Sequence, residues 1–381
     1  MSGSEETSKW EHLGLNRWPF YKTVDYSRAP IWAGRQEVKN LIDRFMWQWV
    51  RQDGKYIHLV WGDLGAGKSH VLHYMRHHFL DQPHLGVLPI HAVMPKEFNG
   101  FLEVYQAIMS ALDLDQIAEL FSHVYREYGS RKAITKNIFP FIPDAINALV
   151  QMRSDVEFKK RLAETWLRGI RLTRSQMDVL EINRSIRDTN DCVAMLSGLI
   201  NIVAMSKKYN RVLIMLDECQ RTWEVKSAFK VGQKINVGLQ TWSDANPNHL
   251  TLVLTYKCGQ EKDCISLISE DIKSRITYPT ISLPLLNSEQ ALNFVRSILG
   301  QCSMEPQDLS WGLFGEDMVR AVVHHVAKVD GIMPRHLTTA FNALLTEYDF
   351  QIVNQGHSNL TIDQATRIVD DALSEPFAED E

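Results

Sequence analysis

The chain has 381 residues, enough for one large domain or two to three smaller ones, and its 45% hydrophobic and 23% charged content is ordinary for a soluble globular protein. Its net charge of −5 excludes a globally basic surface of the kind that coats nucleic acids, so any such surface has to be local. The five cysteines form no C-x-x-C pair, which argues against a disulfide scaffold and against a zinc site.

The first predicted elements are a helix and a strand that follow an irregular start. Residues 1–30 show no period, and from Gly34 apolar residues recur at helical spacing. The continuous apolar run over 56–61 has strand length and is typical of a strand covered on both faces. A second helix is predicted over 68–80.

Strands and helices continue to alternate further along the chain. Residues 86–94 predict a second strand, in which Pro89 indicates either the start of the strand or an edge position. A helix over 98–112 follows, and a helical region then extends to about residue 189.

The remaining apolar runs predict the other strands of one sheet. A buried helix over 190–207 precedes a third strand at 212–216, and a fourth strand is predicted at 250–254. Residues 276–283 predict a fifth strand, and after Pro284 the pattern is helical. Strands that alternate with helices, followed by helices alone, predict an α/β fold with a parallel sheet and a C-terminal α-helical lid.

A phosphate-binding motif stands between the first predicted strand and the helix after it. Residues 62–69 read Gly-Asp-Leu-Gly-Ala-Gly-Lys-Ser, which matches G-x-x-x-x-G-K-S, the P-loop or Walker A pattern. In this pattern backbone N–H groups surround a polyphosphate, Lys68 reaches the β- and γ-phosphates, and Ser69 holds Mg²⁺. A glycine-rich turn with a chance lysine is disfavoured by the flanking strand and helix. We therefore predict that ATP and Mg²⁺ bind here, with contacts from Gly62, Asp63, Leu64, Gly65, Ala66, Gly67, Lys68, Ser69 and His70.

Two carboxylates end the third predicted strand. Asp217 stands at the strand tip, as in a Walker B motif, and is predicted to hold Mg²⁺ directly or through water. Glu218 follows it and is predicted to act as the general base for an attacking water. An ordinary acidic turn is the alternative, but the P-loop about 150 residues upstream favours the functional interpretation.

Further segments stand in the order found in AAA+ ATPases. The chain resembles the initiator and origin-recognition side of that group, and also related transposition and phage-defence ATPases. Gly34-Arg35-Gln-Glu-Val38 is similar to the GR-x-E box, which packs near the adenine. Thr255, at the end of the fourth strand, stands where these proteins carry a polar sensor of the γ-phosphate or of the attacking water.

Two arginines complete the resemblance. Ser274-Arg275-Ile276 resembles the box whose arginine projects into the site of a neighbouring subunit. The segment 283–291 resembles the entry to the lid, and Gly331-Ile-Met-Pro334-Arg335-His-Leu337 resembles the motif of the sensor arginine in the lid. The resemblance thus implies catalytic roles for Arg275 and Thr255 and a nucleotide contact for Arg335 and Arg35.

Each of these residues also has a purely structural alternative. Arg35 is equally suited to cap the helix that follows it or to form a salt bridge there. Thr255 competes for the sensor role with Tyr256 and Lys257. Arg275 is also compatible with a solvated surface position, and so is the lid arginine.

The resemblance implies a parallel-sheet P-loop NTPase (AAA+) core of the α/β class, with a helical insertion and a C-terminal α-helical lid. The predicted parts are an N-terminal extension over 1–33, the core over 34–283, the insertion over 113–189, the lid over 284–350, and a C-terminal helix with an acidic tail over 351–381. Too few residues follow the lid for the winged-helix domain of origin-recognition proteins, so we expect any DNA contact to use the core or the insertion.

The predicted insertion has a local surplus of positive charge. The basic residues between 126 and 174 are Arg126, Arg131, Lys132, Lys136, Arg153, Lys159, Lys160, Arg161, Arg168, Arg171 and Arg174. This segment is either a surface for DNA or an acidic partner, or a solvated helical insertion of the ordinary kind.

The leading hypothesis is an ATP-hydrolysing AAA+ protein that assembles as a homo-oligomer, a ring or a filament. Its expected role is DNA-associated regulation with a partner protein, as in transposition target selection, replication initiation or anti-phage defence. The alternative is an ATP-gated signalling scaffold that recruits an effector protein without binding DNA. A polar N-terminus and the absence of a membrane-length apolar run favour a cytoplasmic protein without membrane contact.

Overall fold

The structure is a computed structural model in which residues 9–21, 29–128, 136, 138–139, 142–224, 228–246, 248–304, 311–358 and 360–374 are described. Two of the predicted basic residues, Arg131 and Lys132, lie outside these ranges. The predicted acidic tail at 379–381 also lies outside them.

One parallel sheet of five strands is the centre of the fold. The strands are β1 (Tyr56–Gly62), β2 (Val87–Val93), β3 (Arg211–Asp217), β4 (Leu250–Lys257) and β5 (Ile281–Ser282). Their order in the sheet is β2-β3-β4-β1-β5, and every neighbouring pair is parallel. The predicted α/β class and parallel sheet are therefore confirmed.

Helices connect the strands and form the C-terminal part of the chain. Their bounds are α1 Gln36–Arg51, α2 Lys68–Asp81, α3 Phe101–Ala111, α4 Leu114–Tyr128, α5 Asp144–Gln151, α6 Glu157–Leu167, α7 Arg174–Val179, α8 Thr189–Met205, α9 Ala228–Ala245, α10 Glu261–Ser266, α11 Glu270–Lys273, α12 Ser288–Cys302, α13 Glu316–Asp330, α14 Pro334–Gln355 and α15 Ile362–Ser374. The α/β alternation ends at β5, and the described elements after it are helical.

The strands form where the sequence has continuous apolar runs, because both faces of a parallel sheet are covered. All residues of β3 are buried, and β4 is buried except at its last residue. Pro89 lies in β2, an edge strand, so the edge prediction made from this proline is confirmed. The fifth strand is shorter than predicted: residues 276–283 contribute the two-residue β5 and one isolated bridge from Ile276 to Ile57.

The strand register brings three functional segments to one edge of the sheet. Gly62, the last residue of β1, pairs with Lys257 at the end of β4. In β3, Asp217 is likewise the last residue and pairs with Val93 of β2. Since the strands are parallel, their carboxyl ends share one edge, where α/β folds place their ligands. The P-loop motif begins at Gly62, the last residue of β1.

The chain divides into two compact units, each with a hydrophobic core of its own. The sheet unit comprises Ile42–Gly62 and Met75–Ser282. The P-loop unit comprises Met1–Leu41, Asp63–Tyr74 and Leu283–Glu381. The core of the sheet unit includes the strands and the helices of the predicted insertion. The core of the P-loop unit is formed by the N-terminal segment and the C-terminal helices.

A histidine is fully buried in the core of the sheet unit. His58 of β1 accepts a hydrogen bond at Nε2 from the Trp49 indole, with 3.0 Å between the two nitrogens. Its ring packs against Phe45 and stacks with Tyr56. Burial lowers the pKa of His58 from 6.5 to about 3, so the imidazole is neutral in the folded protein.

Candidate functional site

The predicted P-loop forms a tight turn between β1 and α2. Gly65 and Gly67 adopt φ values of 78° and 100°, which residues with a Cβ rarely adopt. The Ala66 N–H donates to the Asp63 carbonyl oxygen at 3.1 Å, and this hydrogen bond closes the turn. Helix α2 starts at Lys68, so the positive end of the helix dipole lies at the end of this loop. Such a turn is suited to bind an anion.

Lys68 lies across its own loop. Its side chain is buried, and Nζ donates to the Asp63 carbonyl oxygen at 3.0 Å. The next residue, Ser69, is half-buried in the first turn of α2, whereas Leu64 is an exposed residue of the loop. The loop therefore places an ammonium group and a hydroxyl group side by side at a helix N-terminus.

Arg335 packs directly on the P-loop. It is the second residue of α14, after Pro334, and its N–H donates to the Gly65 carbonyl oxygen at 3.4 Å. A Cβ added at Gly65 would lie 2.8 Å from the Arg335 Cβ, so only glycine fits between the loop and this helix. The arginine identified from the lid motif thus lies at the predicted phosphate-binding loop.

Arg35 contacts the same loop from the N-terminal side. It has a left-handed backbone with φ 44°, and its guanidinium donates to the carbonyl oxygens of Ala66, at 2.6 Å, and of Pro284. Its Nε is buried without a hydrogen-bond partner among the described residues. Burial lowers the pKa of Arg35 to about 10. This arginine joins the P-loop to the start of the C-terminal helical segment through backbone contacts that sequence analysis did not predict.

An aromatic group lies beside the P-loop. The Trp32 ring packs edge-on against Tyr74 at 4.9 Å and lies 6.0 Å from the ring of His70. Burial lowers the pKa of His70, and a hydrogen bond with the Ile31 backbone opposes that effect. Sequence analysis assigned no role to Trp32; its position shortly before the Gly34-Arg35 box was the available signal.

The acidic pair lies in the sheet unit and is held by β4. Asp217 is buried, and its Oδ1 accepts from the Thr255 hydroxyl and from the Glu218 N–H at 2.9 Å. The same N–H also donates to the Thr255 hydroxyl oxygen at 3.0 Å. His91 of β2 lies nearby, with Nε2 3.8 Å from Asp217 Oδ2. The predicted Mg²⁺ ligand is therefore fixed in position by two neighbouring strands.

Thr255 is fully buried and directly bonded to the acidic pair, as its position at the end of β4 allows. The two competing residues have different surroundings. Burial raises the pKa of the Tyr256 hydroxyl, and Cys219, Cys264 and Cys258 lie near it. Lys257 is exposed, and its backbone N–H donates to Gln220 at 3.1 Å. Of the three, Thr255 is the one whose side chain bonds to Asp217.

Glu218 has a left-handed backbone with φ 60°. Non-glycine residues in this region are uncommon and cluster at functional sites. Its Oε2 accepts from Gln220 Nε2 at 2.6 Å and lies 3.8 Å from Arg221 Nε. Arg221 in turn donates to the Met94 carbonyl oxygen at 2.6 Å. The predicted general base is thus partly exposed and tied to its own turn.

Arg275 forms an ion pair within the sheet unit. Its Nε and one terminal nitrogen contact the two carboxylate oxygens of Asp244 at 3.0 and 2.9 Å. Lys55 contacts the same carboxylate. The hydrogen bond from Arg275 is the largest cause that holds the pKa of Asp244 below its ordinary value, and the contact with Lys55 adds to it. The predicted trans-acting arginine is thus held by a carboxylate of its own chain, and its side chain is about a quarter exposed.

Many cations of the predicted insertion are paired with acids. Each pair joins an Arg or Lys to a nearby carboxylate: Lys160 with Asp115, Arg161 with Glu157, Arg168 with Glu164 and Arg174 with Asp178. These contacts compensate part of the positive charge noted between 126 and 174.

In the described part of the chain, His, Cys, Asp and Glu side chains form no group of three or more with metal-binding geometry. Among the described helices, none combines the length and apolar character that crossing a bilayer requires.

No protein-family model matches the sequence, and no curated protein matches it at a significant level. Solved structures are similar in fold. The ORC2 protein of Aeropyrum pernix, solved as ADPNP-ADP complexes, is 12% identical with a TM-score of 0.50, and the match covers 92% of this chain and 72% of that chain.

Two more structures are less similar in fold. The Aeropyrum pernix ORC1 protein in complex with DNA is 12% identical with a TM-score of 0.48, over 91% of this chain and 66% of that chain, slightly less than two thirds. Domain III of the Thermotoga maritima replication initiation protein DnaA is 13% identical with a TM-score of 0.44, over 94% of this chain and 100% of that chain. At these identities the comparison concerns the fold, which is that of AAA+ P-loop ATPases.

Proposed function

We propose that this protein binds ATP with Mg²⁺ at the P-loop and hydrolyses it. The observation that carries the proposal is the formed loop itself, in which the buried Lys68 and the glycine turn lie at the N-terminus of α2. A Cβ at Gly67 would meet no described atom within 4 Å, so the space beside this glycine is open. A similar fold holds ADPNP and ADP in the ORC2 protein of Aeropyrum pernix, which supports a nucleotide as the ligand.

Each of the two predicted Mg²⁺ ligands carries a donor group that suits this ion. Ser69 offers a hydroxyl oxygen and Asp217 a carboxylate, and Mg²⁺ prefers such oxygen ligands together with waters and phosphate oxygens. Thr255 and the Glu218 N–H occupy Asp217 Oδ1 and so fix how the carboxylate is presented. When bound, the metal would neutralise phosphate charge; the protein side chains orient and activate water.

Glu218 is proposed as the general base. The water oxygen would bond to the γ-phosphorus while the bond from that phosphorus to the β,γ-bridging oxygen breaks, and Glu218 would take the proton released by the water. The partial exposure of its carboxylate supports this role, because a base has to be reached by water. Lys68 would stabilise the charge that develops on the phosphate oxygens.

Arg335 and Arg35 are proposed as the arginines that contact the nucleotide. Both already contact backbone atoms of the P-loop, Arg335 at Gly65 and Arg35 at Ala66. Thr255 is proposed to act through Asp217, to which its hydroxyl is bonded, rather than by direct contact with phosphate.

Two substitutions test the ATPase proposal. Lys68→Ala should abolish ATP binding and turnover together, whereas Glu218→Gln should retain binding and lose about 10²- to 10⁴-fold in kcat, the range for general-base catalysis. Binding of a fluorescent ATP analogue and release of phosphate measure the two steps. Gln233→Leu, at an exposed position of α9, is the control. A Glu218→Gln protein with normal turnover would contradict the base assignment.

We further propose that the active form is a homo-oligomer and that Arg275 acts in the site of a neighbouring subunit. Such an arginine is worth about 10³- to 10⁵-fold in related phosphoryl-transfer systems. Arg275→Ala should then abolish turnover and spare ATP binding. Mixing Arg275→Ala with Glu218→Gln subunits should restore part of the activity, because some mixed interfaces contain an intact base and an intact arginine. No recovery on mixing would contradict a trans role.

The cellular role is proposed as DNA-associated regulation, because basic residues are in local surplus between 126 and 174. A signalling scaffold that binds an effector protein and no DNA is the second candidate. The ion pairs of Lys160, Arg161 and Arg168 favour this second candidate, because a paired cation contributes less to phosphate binding. Affinity for duplex DNA measured between about 50 and 200 mM salt decides between them: binding that weakens steeply with salt supports the first candidate, and no binding at low salt supports the second.

A further inference from the structure

The side chain of Gln220 links the carboxylate of Glu218 to strand β4. Its Nε2 donates to Glu218 Oε2 at 2.6 Å, and its Oε1 accepts from the Lys257 N–H at 3.1 Å. Gln220 is buried, and both contacts are part-buried. We propose that Gln220 is a positioning residue for the general base; this inference rests on the proposed ATPase function.

The orientation of the amide follows from its partners. A backbone N–H can only donate, so the group that faces Lys257 must be the carbonyl oxygen of the Gln220 amide. The NH₂ group then faces Glu218, where an ionised carboxylate accepts. No alternative flip of the amide satisfies both neighbours, and the hydrogen bond to Glu218 is therefore fixed in direction.

The two carboxylate oxygens of Glu218 have different surroundings. Oε2 accepts from Gln220 and lies 3.8 Å from Arg221 Nε. Oε1 forms no hydrogen bond or ion pair with a described residue, and the side chain is 28% exposed. One oxygen is thus anchored and the other is presented to solvent. This division suits a base that has to hold a fixed position while it accepts a proton from water.

Strand β4 consequently fixes both members of the acidic pair. The Thr255 hydroxyl bonds to Asp217 and to the Glu218 N–H, and the Lys257 N–H holds Gln220 against the Glu218 carboxylate. Thr255 and Lys257, which are two positions apart on β4, therefore set the positions of the predicted metal ligand and of the predicted base. Without Gln220, the Glu218 side chain would keep its backbone position and lose its defined rotamer.

Two substitutions of Gln220 test the role. Gln220→Leu removes both hydrogen bonds, and we expect kcat for ATP to fall about 10- to 100-fold, the loss expected for a hydrogen bond to a charged group. Gln220→Glu keeps an acceptor for Lys257 but places a carboxylate against Glu218, so the loss should be larger although the fold is retained. KM for ATP and the affinity for ADP should stay within twofold in both variants. Gln233→Leu is the matched control on the surface of α9.

A double-substitution cycle separates positioning from general damage. In the Glu218→Gln background, Gln220→Leu should cost no further activity, because the base that it positions is already absent. Additive losses, a kcat within twofold of the wild type in Gln220→Leu, or a joint loss of ATP binding would each overturn the inference.

A measurement without ATP distinguishes failure of this inference from failure of the proposed function. In nucleotide-free protein labelled with ¹⁵N at glutamine side chains, the Gln220 NH₂ signal is identified by its loss in Gln220→Leu. We expect slow exchange with water and a clear shift of this signal in Glu218→Gln. A fast-exchanging signal that does not shift in Glu218→Gln would overturn the positioning role of Gln220, even if the protein hydrolyses ATP. If the signal behaves as expected but the protein has no ATPase activity, the hydrogen bond from Gln220 to Glu218 is supported and the ATPase proposal is rejected.

Discussion

The P-loop and the acidic turn after β3 hold their charged side chains by different means. Lys68 and Arg35 both donate to backbone carbonyl oxygens of the loop. Asp217 and Glu218 instead accept from side chains, those of Thr255 and Gln220. A carbonyl oxygen is supplied by any residue type, whereas a hydroxyl or an amide is not. The loop should therefore tolerate side-chain changes around it better than the acidic turn does, provided that its glycines are kept.

The largest effect is expected at the acidic turn. Thr255→Val removes the hydroxyl and keeps the shape, so Asp217 loses a charge-assisted hydrogen bond in a buried place. We expect kcat to fall about 100-fold and the free energy of unfolding to fall by about 2 kcal/mol. Phosphate release and urea denaturation measure the two effects. Thr241→Val is the control, because its hydroxyl is exposed and bonds only to a carbonyl of its own helix; equal effects of both substitutions would contradict the comparison.

A smaller effect is expected from the glycines, which are the part of the P-loop that has no substitute. Gly65 and Gly356 have nearly the same φ, 78° and 77°, but a Cβ at Gly65 would lie 2.8 Å from the Arg335 Cβ, whereas at Gly356 it would meet no described atom within 4 Å. The left-handed backbone alone should cost Gly356→Ala about 1 kcal/mol, and Gly65→Ala should cost about 2 kcal/mol because of the added overlap.

The two alanine variants also differ in the expected effect on ligand binding. Of the two variants, only Gly65→Ala should weaken ATP binding, because Gly65 belongs to the P-loop and packs against Arg335. Thermal unfolding and titration with a fluorescent ATP analogue measure the two quantities. The same cost at both glycines would mean that the contact with α14 contributes nothing.

The smallest effect for a single step of the experiment, one pH unit, concerns the buried histidines. His58 in the sheet unit has a pKa lowered to about 3, so as the pH falls below 6.5 the unfolded chain binds a proton that the folded chain does not bind. The free energy of unfolding should therefore fall with decreasing pH between 6.5 and about 3, by up to about 1.4 kcal/mol per pH unit. Urea denaturation at pH 7, 6 and 5 measures this slope. In His58→Gln the slope should be smaller by the amount that corresponds to about one bound proton. Glutamine is chosen because it keeps an acceptor for the Trp49 indole.

The histidine of the P-loop unit is the internal comparison for this measurement. Burial also lowers the pKa of His70, but a hydrogen bond with the Ile31 backbone opposes the shift. His70→Gln should therefore change the slope less than His58→Gln does. Equal slopes in the wild type and in His58→Gln would contradict the assigned neutral state.

The sequence alone predicted the elements whose signals are local. The run of apolar residues before Gly62 and the motif that ends at Ser69 lie within 14 residues of each other, so both the strand and the loop could be identified. The parallel sheet and the edge position of Pro89 followed from similar short-range patterns. These features depend on backbone conformation and burial, which neighbouring residues determine.

The rest depended on contacts between residues that are far apart in the chain. Thr255 and Glu218 are 37 positions apart, and nothing near either residue indicates that they share a hydrogen bond. The ion pair of Arg275 with Asp244 and the contact of Arg35 with Pro284 were also not predictable, because each forms only after separate elements have packed. Sequence spacing thus identified which residue types to consider and left their partners to the tertiary structure.

Both edges of the sheet resist the addition of another strand. On one side, β2 contains Pro89, which has no N–H to donate, and on the other, β5 is only two residues long. A strand from another molecule would therefore find few regular hydrogen-bonding groups along either margin. Any association between copies of this chain would consequently rely on side-chain surfaces, which can be formed and separated without exchange of backbone hydrogen bonds.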